Sequence, residues 1–128
     1  MNPETRYTNR FRRYVTSHNP TAVVVKHSDR FHHGIADLMI GIPTGACPRI
    51  FPIEVKYLPC VVTHRRKIPL KASQEDYLRN WSRIGSPACV LIGTQHGSAL
   101  YFMAAYDGYI YGSQIQEDRS IWDRLLIH

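Results

Sequence analysis

Two apolar stretches, residues 34–42 and 49–56, are separated by a short segment, residues 43–48, that contains proline and glycine. Apolar runs on either side of such a turn predict a β-hairpin with a long loop. Both runs nevertheless contain charged residues. Charges inside strands of this kind are seldom there for packing, so the hairpin constrains both the fold and the chemistry of the chain.

Three charged side chains give the hairpin its chemistry. Asp37 heads the first strand, and Glu54 and Lys56 lie near the end of the second. Because side chains alternate along a strand, Glu54 and Lys56 point to one face while Val55 points to the other. Antiparallel pairing brings Asp37 opposite the Glu54 end of the second strand, so two carboxylates and one ammonium group are predicted to meet.

Two converging carboxylates form a hard, oxygen-rich site of the kind that binds Mg²⁺, which keeps several waters and contacts phosphate oxygens. Like charges held this close repel each other unless a cation lies between them, so the metal is also a structural requirement of this site. Lys56 can orient or help deprotonate a metal-bound water, or stabilise negative charge on a phosphate. The cluster therefore predicts chemistry at a phosphate group.

The combination of Asp37 with Glu54-Val55-Lys56 resembles the signature of the PD-(D/E)XK nuclease superfamily. An Ile-Ala pair precedes the aspartate where the signature usually has proline. A glycine before that pair and a glutamine-led helix after the lysine agree with the Holliday-junction-resolvase-like and virus-type replication-repair nuclease branch. The likeness covers roughly residues 4–93.

This resemblance implies an α/β fold with a restriction-endonuclease-like core, α-β-β-β-α-β, in which helices flank a mixed sheet. It also implies a single nuclease domain over residues 1–128 that cuts DNA in a metal-dependent reaction. Asp37, Glu54 and the main-chain carbonyl of Val55 are expected to bind Mg²⁺, for which Mn²⁺ would substitute, and Lys56 is expected to assist the attacking water. Because this family is found widely in phages and mobile elements, a homing-type or phage nuclease and a junction or flap nuclease both agree with the sequence.

The first predicted helix covers residues 3–16, with Asn2 as its N-cap and Pro3 in its first position. Glu4 either complements the positive helix N-terminus or, as the resemblance implies, adds a third acidic group near the metal. A neighbouring face of the helix is a basic ridge, which is either solvated or in contact with phosphates. The ridge consists of Arg6, Arg10 and Arg13.

A second helix is predicted over residues 73–84, with Ser73 and Asp76 as its capping box and Gly85 as its stop. Gln74 opens the apolar face of this helix at the end near the predicted site. A glutamine here is typical of the resembled branch, where it lies beside the catalytic cluster. The alternative is that Gln74 makes only a hydrogen bond at the start of the helix.

Basic residues near the hairpin are expected to contact the DNA backbone. They lie at the end of a predicted first strand, residues 21–27, or just after it, in the proline-containing loop after Lys56, which is predicted to be exposed, or just before the second helix. The residues concerned are Lys26, Arg30, His32, His33, His64, Arg65, Arg66, Lys67 and Lys71. Gly34, just before the hairpin, is predicted to permit a close backbone approach or a positive φ.

The rest of the chain is predicted to add strands at residues 87–93 and 99–104, a short strand or turn at 109–111 and a terminal helix at 120–126. The strand-helix-strand order from the hairpin to the first of these strands implies a right-handed crossover and a parallel pair. Aromatic residues in this part, Trp122 among them, either pack into the core or form a dimer face.

Composition agrees with this interpretation. The chain of 128 residues, 44% hydrophobic and 20% charged, has room for one core. Its 16 Lys and Arg against 10 Asp and Glu give a net charge of +6, which favours a polyanionic partner. Three cysteines without a CxxC spacing favour reduced thiols in the cytoplasm of a bacterial or phage-infected cell over a zinc site.

DNA and a second copy of the chain are the expected partners, because one site reaches one phosphodiester and cutting two strands needs two sites. No membrane is expected as a partner, since no apolar run approaches the ~20 residues of a membrane span. No small-molecule cofactor is expected either. One alternative is a catalytically silent DNA-binding accessory protein, although such a protein has no reason to retain buried unpaired charges. The other, an RNA- or nucleotide-acting enzyme, would need a glycine-rich phosphate loop or an RNA-binding aromatic signature that the sequence lacks.

Overall fold

A computed structural model describes residues 1–27, 34–44, 46–59 and 62–127 of the chain. The elements in these residues are α1 (Pro3–His18), β1 (Val23–Lys26), β2 (Leu38–Ile42), β3 (Arg49–Leu58), β4 (Arg65–Lys67), α2 (Ala72–Arg83), β5 (Cys89–Thr94), β6 (Gly97–Phe102), β7 (Tyr109–Tyr111) and α3 (Asp118–Ile127). Two single turns of 3₁₀ helix, Met103–Ala105 and Gly112–Gln114, flank β7.

The main sheet has five strands in the order β1-β2-β3-β5-β6. Strand β3 lies in its middle, antiparallel to β2 and parallel to β5, with Ile53 opposite both Leu38 and Cys89. The predicted hairpin and the predicted parallel pair are therefore both present. Strands β4 and β7 form a separate two-stranded antiparallel sheet.

Alternating side chains divide the core between the two faces of the main sheet. On one face, α1 and α3 cover residues such as Ile53, Val55 and Leu91. On the other face, α2 covers a cluster that includes Val90 and Ile92. Strand β5 is buried along its whole length because helices cover both faces of the sheet, as expected for a strand in a parallel pair.

Helix α1 begins as predicted, since Oδ1 of Asn2 accepts a hydrogen bond from the Thr5 N–H at 2.8 Å. It ends at His18, two residues later than predicted. The ring of Trp122 in α3 packs against Tyr7 and Phe11 of α1, with centroids 5.8 and 5.7 Å apart. Trp122 is almost fully buried in this way, so it belongs to the core and not to a dimer face.

Predicted element starts differ from the structure by one or two residues: β5 begins at Cys89 and not at 87, β6 at Gly97 and not at 99, and α3 at Asp118 and not at 120. Strand β1 begins at Val23 and not at residue 21. Helix α2 begins at Ala72, so Ser73 lies inside its first turn and the predicted capping box with Asp76 is wrong. The reason is that Oε1 of Gln74 accepts a hydrogen bond from the Lys71 N–H at 3.0 Å, so the helix begins one residue earlier than predicted. The stop at Gly85 is confirmed by its φ of +92°.

The segment after Lys56 was predicted to be an exposed loop, and this prediction is wrong for Arg65–Lys67. Arg65–Lys67 form strand β4, which pairs with β7. All three side chains nevertheless remain exposed, as predicted. Backbone pairing to β7 therefore decides the conformation here, and burial of side chains does not.

None of the helices within the described ranges is both long and apolar enough to cross a membrane.

Candidate active site

The register of β2 and β3 brings the predicted acids together. Leu38 is opposite Ile53, so Asp37, one position earlier, falls opposite Glu54. The N–H of Val55 donates a hydrogen bond to Oδ2 of Asp37 at 3.2 Å, which ties the head of β2 to the middle of β3. The hairpin thus holds the two carboxylates side by side on one face of the sheet.

Glu54 is the most constrained of these residues. Its side chain is only 1% exposed, and neither carboxylate oxygen has a hydrogen-bond partner among the described residues. Burial raises the pKa of Glu54 to about 9, the charge of Asp37 adds to the rise and Lys56 opposes it. Two neighbouring carboxylates can share a hydrogen bond only when one of them carries a proton, so the pair needs either a proton or a cation.

Lys56 and Glu4 lie close enough to the Asp37–Glu54 pair for their charges to act on it. Lys56 is half-buried and follows Glu54 by two positions on the same face of β3. Glu4, in the first turn of α1, accepts a hydrogen bond from the Tyr57 N–H through Oε1 at 3.2 Å. Desolvation raises the pKa of Glu4, with Lys56 opposing the rise and Asp37 adding to it. These mutual effects place Glu4 within electrostatic reach of both residues.

Gln74 is held at the start of α2 by its bond to the Lys71 N–H. No hydrogen bond in the described part of the chain joins it to the two carboxylates. Helix α2 is nevertheless brought close to the site by Gly34, whose φ is +91° and where a Cβ would lie 2.7 Å from the carbonyl oxygen of Ser73. The prediction that Gly34 permits a positive φ and a close backbone approach is therefore confirmed.

The basic ridge of α1 faces a cavity of about 350 Å³ that Tyr57, next to Lys56, also lines. Arg6, Arg10 and Arg13 all contribute to its wall. Arg10 is additionally bound to Asp118, with Nη1 and Oδ2 3.2 Å apart, and its guanidinium lies over the Tyr7 ring. All three arginines are exposed, but Arg10 also has a structural role because of these contacts.

The other predicted DNA contacts occupy three places. Lys26 is exposed at the end of β1, and Lys71 is exposed at the N-terminus of α2. Exposed residues in and before β4 are His64, Arg65, Arg66 and Lys67. Arg30, His32 and His33 lie outside the described residues.

One group of residues was not predicted from the sequence. Tyr109 and Tyr111 in β7 lie directly opposite Lys67 and Arg65 in β4. The Arg65 guanidinium lies over the Tyr109 ring, with its carbon 4.4 Å from the ring centroid. The alternation of two tyrosines around an isoleucine is the signal that could have indicated an outward aromatic face.

The donor set suits a hard divalent cation. The buried oxygens of Glu54 lack a hydrogen-bond donor in the described structure and face a second carboxylate, that of Asp37. In residues 1–27, 34–44, 46–59 and 62–127 no three His, Cys, Asp or Glu side chains are grouped as a metal site. Asp37 and Glu54 thus offer two carboxylates, to which the Val55 carbonyl could add a third oxygen, and Mg²⁺ completes such sites with water.

Apart from β4, which pairs outside the main sheet, the helix and strand order is α1-β1-β2-β3-α2-β5 with a mixed sheet between helices. This is the order of the restriction-endonuclease-like fold, which confirms the predicted fold class. Among solved structures, the chain is similar to Hjc, a Holliday junction resolvase from the archaeal hyperthermophile Archaeoglobus fulgidus. The TM-score is 0.54 and the sequence identity 15%, over 84% of this chain and 90% of that chain. At this identity the likeness establishes the shared fold. No family model and no curated protein sequence matches the chain.

Proposed function

We propose that the chain is a metal-dependent DNA endonuclease that cuts branched DNA such as junctions or flaps. The observation that carries this proposal is the buried, donor-free Glu54 carboxylate beside Asp37 on the central strand. Burying an unpaired charge costs several kcal/mol (roughly 3–5 when a partner is missing), so a position with no task would not keep it. The fold of the archaeal resolvase supports the same class of substrate.

In this proposal each residue has a separate task. Asp37, Glu54 and the Val55 carbonyl hold the Mg²⁺ or Mn²⁺ ion, with Glu4 adding negative charge at its open side. The bound ion would supply a Lewis acid for the scissile phosphate and lower the pKa of a water. The Lys56 ammonium then orients the attacking water and stabilises negative charge on the phosphate. Gln74 supports the cluster from the start of α2.

DNA reaches the site across a basic surface. In this proposal the phosphates contact Arg6 and Arg13 on α1, Lys26, Lys71 and the cations of β4, and the net charge of +6 favours phosphate binding. One active site reaches one phosphodiester, so cutting opposed strands requires a homodimer. The same proposal includes an origin in a phage or mobile element and a location in the cytoplasm of the host cell.

The test is cleavage of a panel of labelled substrates that share one sequence: linear duplex, supercoiled plasmid, single strand, flap and four-way junction. Each is incubated with Mg²⁺, Mn²⁺ or EDTA and with wild type, Glu54→Ala, Lys56→Ala or Glu117→Ala. Glu117 is an exposed acid before α3, so its variant controls for the loss of a carboxylate. We expect metal-dependent cutting of branched DNA that only the first two variants lose.

A competing function is DNA binding without cutting. Tight binding of branched DNA by the wild type, with no cleavage in either metal, would establish that accessory role and overturn the nuclease proposal. Preferential cutting of the linear duplex at a defined sequence would instead favour a homing-type enzyme.

A further inference from the structure

The sheet formed by β4 and β7 presents four side chains on one outward face. Arg65 is directly opposite Tyr111, and Lys67 is directly opposite Tyr109. Directly opposed residues of an antiparallel pair project to the same side. We call these four residues the β4–β7 outer face. Ile110, between the two tyrosines, projects to the other side and is fully buried.

The tyrosine rings on this face are held in place before any ligand binds. Asp107 accepts a hydrogen bond from the Tyr111 hydroxyl at 2.6 Å and another from the Tyr109 N–H at 3.0 Å. The Arg65 guanidinium lies over the Tyr109 ring at 4.4 Å. A fixed ring loses little conformational entropy on binding, so this geometry is suited to stacking.

The charge of the surface favours an anion. Arg65 and Lys67 are both exposed on this face and outnumber the neighbouring Asp107 carboxylate. Tyrosine rings and guanidinium planes bind the flat faces of nucleobases, while adjacent cations bind the phosphates. In a duplex the base faces are covered by their neighbours. Only nucleotides outside a duplex can therefore use both the rings and the cations.

The β4–β7 outer face belongs to the same structural unit as the catalytic strand. Ile110 and Ile68 are buried in one cluster with Ala36 and Leu58. Ala36 immediately precedes Asp37, and Leu58 follows Lys56 by two positions. Residues 59–64 connect β3 to β4, so Leu58 and Arg65 are at most about 25 Å apart. Counted from Glu54, four residues earlier, the limit is about 40 Å, a length that a bound strand of roughly ten nucleotides spans.

We propose that the β4–β7 outer face binds unpaired DNA, with bases stacked on Tyr109, Tyr111 and the Arg65 guanidinium and phosphates on the adjacent cations. This inference deepens the proposed nuclease function and rests on it for the link to cutting. The unpaired strand of a flap or branch lies on this face while the adjoining duplex arm reaches Asp37 and Glu54. The enzyme thereby selects DNA in which duplex and single strand meet.

The test is fluorescence anisotropy in EDTA with a short labelled single strand of mixed base sequence, its fully paired duplex and an RNA of the same sequence. The proteins are wild type, Tyr109→Leu, Tyr111→Leu, Tyr111→Phe and Arg65→Ala, with Arg83→Ala as the control. Arg83 is an exposed arginine at the end of α2, where its guanidinium donates a hydrogen bond to Oδ1 of Asn80. Because Arg65 is exposed, its variant tests the face even if a tyrosine variant fails to fold.

We expect each Tyr→Leu variant to weaken single-strand binding roughly 5- to 50-fold and duplex binding by less than about twofold. Tyr111→Phe keeps its ring and stays within about threefold of wild type, and Arg83→Ala also binds normally. Unchanged single-strand binding in both tyrosine variants and Arg65→Ala would overturn the proposal. So would an equal loss on duplex, or tighter binding of the RNA than of the DNA.

Cleavage separates this inference from the proposed function. If the wild type cuts DNA but the outer-face variants bind single strands as tightly as the wild type does, the nuclease proposal stands and the outer face has another role. If the variants lose single-strand binding while the wild type cuts nothing, the binding surface stands and the nuclease proposal fails. If both stand, we expect Tyr111→Leu to reduce cutting of flaps more than cutting of nicked duplex.

Discussion

The backbone N–H of Val55 donates its hydrogen bond to Oδ2 of Asp37 and so fixes the carboxylate of one strand against the main chain of the next. The same geometry sets the Asp37 charge beside Glu54, whose oxygens have no donor among the described residues. A single interstrand contact therefore holds the acid pair in place and also maintains its mutual repulsion. Hairpin stability and the chemistry of the site are coupled through it.

Asp37→Asn separates the two roles of this side chain. An asparagine oxygen can still accept from Val55, so the hairpin is expected to fold, but the negative charge is gone. We expect cleavage of branched DNA to fall roughly 100-fold or more while binding of the same DNA stays within about threefold. Single-turnover cleavage and anisotropy on one substrate measure both quantities. A variant that cuts normally would remove Asp37 from the catalytic group.

The raised pKa of Glu54 predicts that the free energy of unfolding depends on pH in an unusual direction. Its pKa in the folded protein is about 9, far above the 4.5 of a free glutamate. Between these two values the unfolded chain releases the proton and the folded chain keeps it, so the metal-free protein loses stability as pH rises. We expect a loss on the order of 2 to 4 kcal/mol between pH 5 and pH 8.

Urea unfolding in EDTA at both pH values measures this effect. Glu54→Gln should remove most of the difference, and excess Mg²⁺ should restore the wild-type stability at pH 8, because a cation offsets the repulsion. Glu117→Gln, an exposed control, should retain the full pH dependence. Equal stability of the wild type at the two pH values would contradict the burial argument.

Glu4→Gln tests whether α1 contributes to the metal site. The amide oxygen of the variant can still accept from the Tyr57 N–H, so the position of the helix is preserved while the charge is lost. We expect the Mg²⁺ concentration for half-maximal cleavage to rise about 10-fold with little change in the maximal rate. If the Mg²⁺ requirement is unchanged, Glu4 acts only on the helix N-terminus.

Gly93→Ala tests the packing of α1 on the sheet. A Cβ at this position would overlap the ring of Tyr7, which lies directly on β5. We expect the substitution to reduce the free energy of unfolding by about 1 to 3 kcal/mol. Gly41→Ala is the matched control in β2, since the nearest atom to its Cβ would be Val23 Cβ at 3.9 Å. Equal effects of the two substitutions would show that lost backbone freedom, and not the Tyr7 contact, determines the result.

The sequence was sufficient for those parts of the fold that depend on local pattern. Alternation and turn residues predicted the hairpin, and once β2 and β3 pair, the opposition of Asp37 and Glu54 follows from the two-residue period. The strand-helix-strand order then predicted the parallel β3–β5 pair. The geometry of the acid pair was therefore accessible from the sequence, whereas its role as a metal site remains a proposal.

Features that depend on distant partners were not accessible. Strands β4 and β7 are separated by residues 68–108, and the side chains of β4 are all exposed, so no apolar pattern indicated their pairing. The start of α2 was misplaced because two capping options compete in the same turn and the Gln74 side chain wins over Ser73. Propensity ranks such options, but the reach of a particular side chain decides between them.

The parallel pairing of β3 with β5 also has a consequence for the order of folding. Ile53 and Cys89 become neighbours only after residues 54–88, including α2, have closed into a crossover. Closing such a loop costs chain entropy before the contacts repay it, so we expect this step to come late. The β2–β3 hairpin that sets Asp37 opposite Glu54 is local and can form before that step, whereas the other edge of β3 stays open until β5 pairs with it. A newly made or partly refolded chain would then carry the acid pair without the surroundings that bury it. The environment that raises the pKa of Glu54 would therefore appear only when folding is complete.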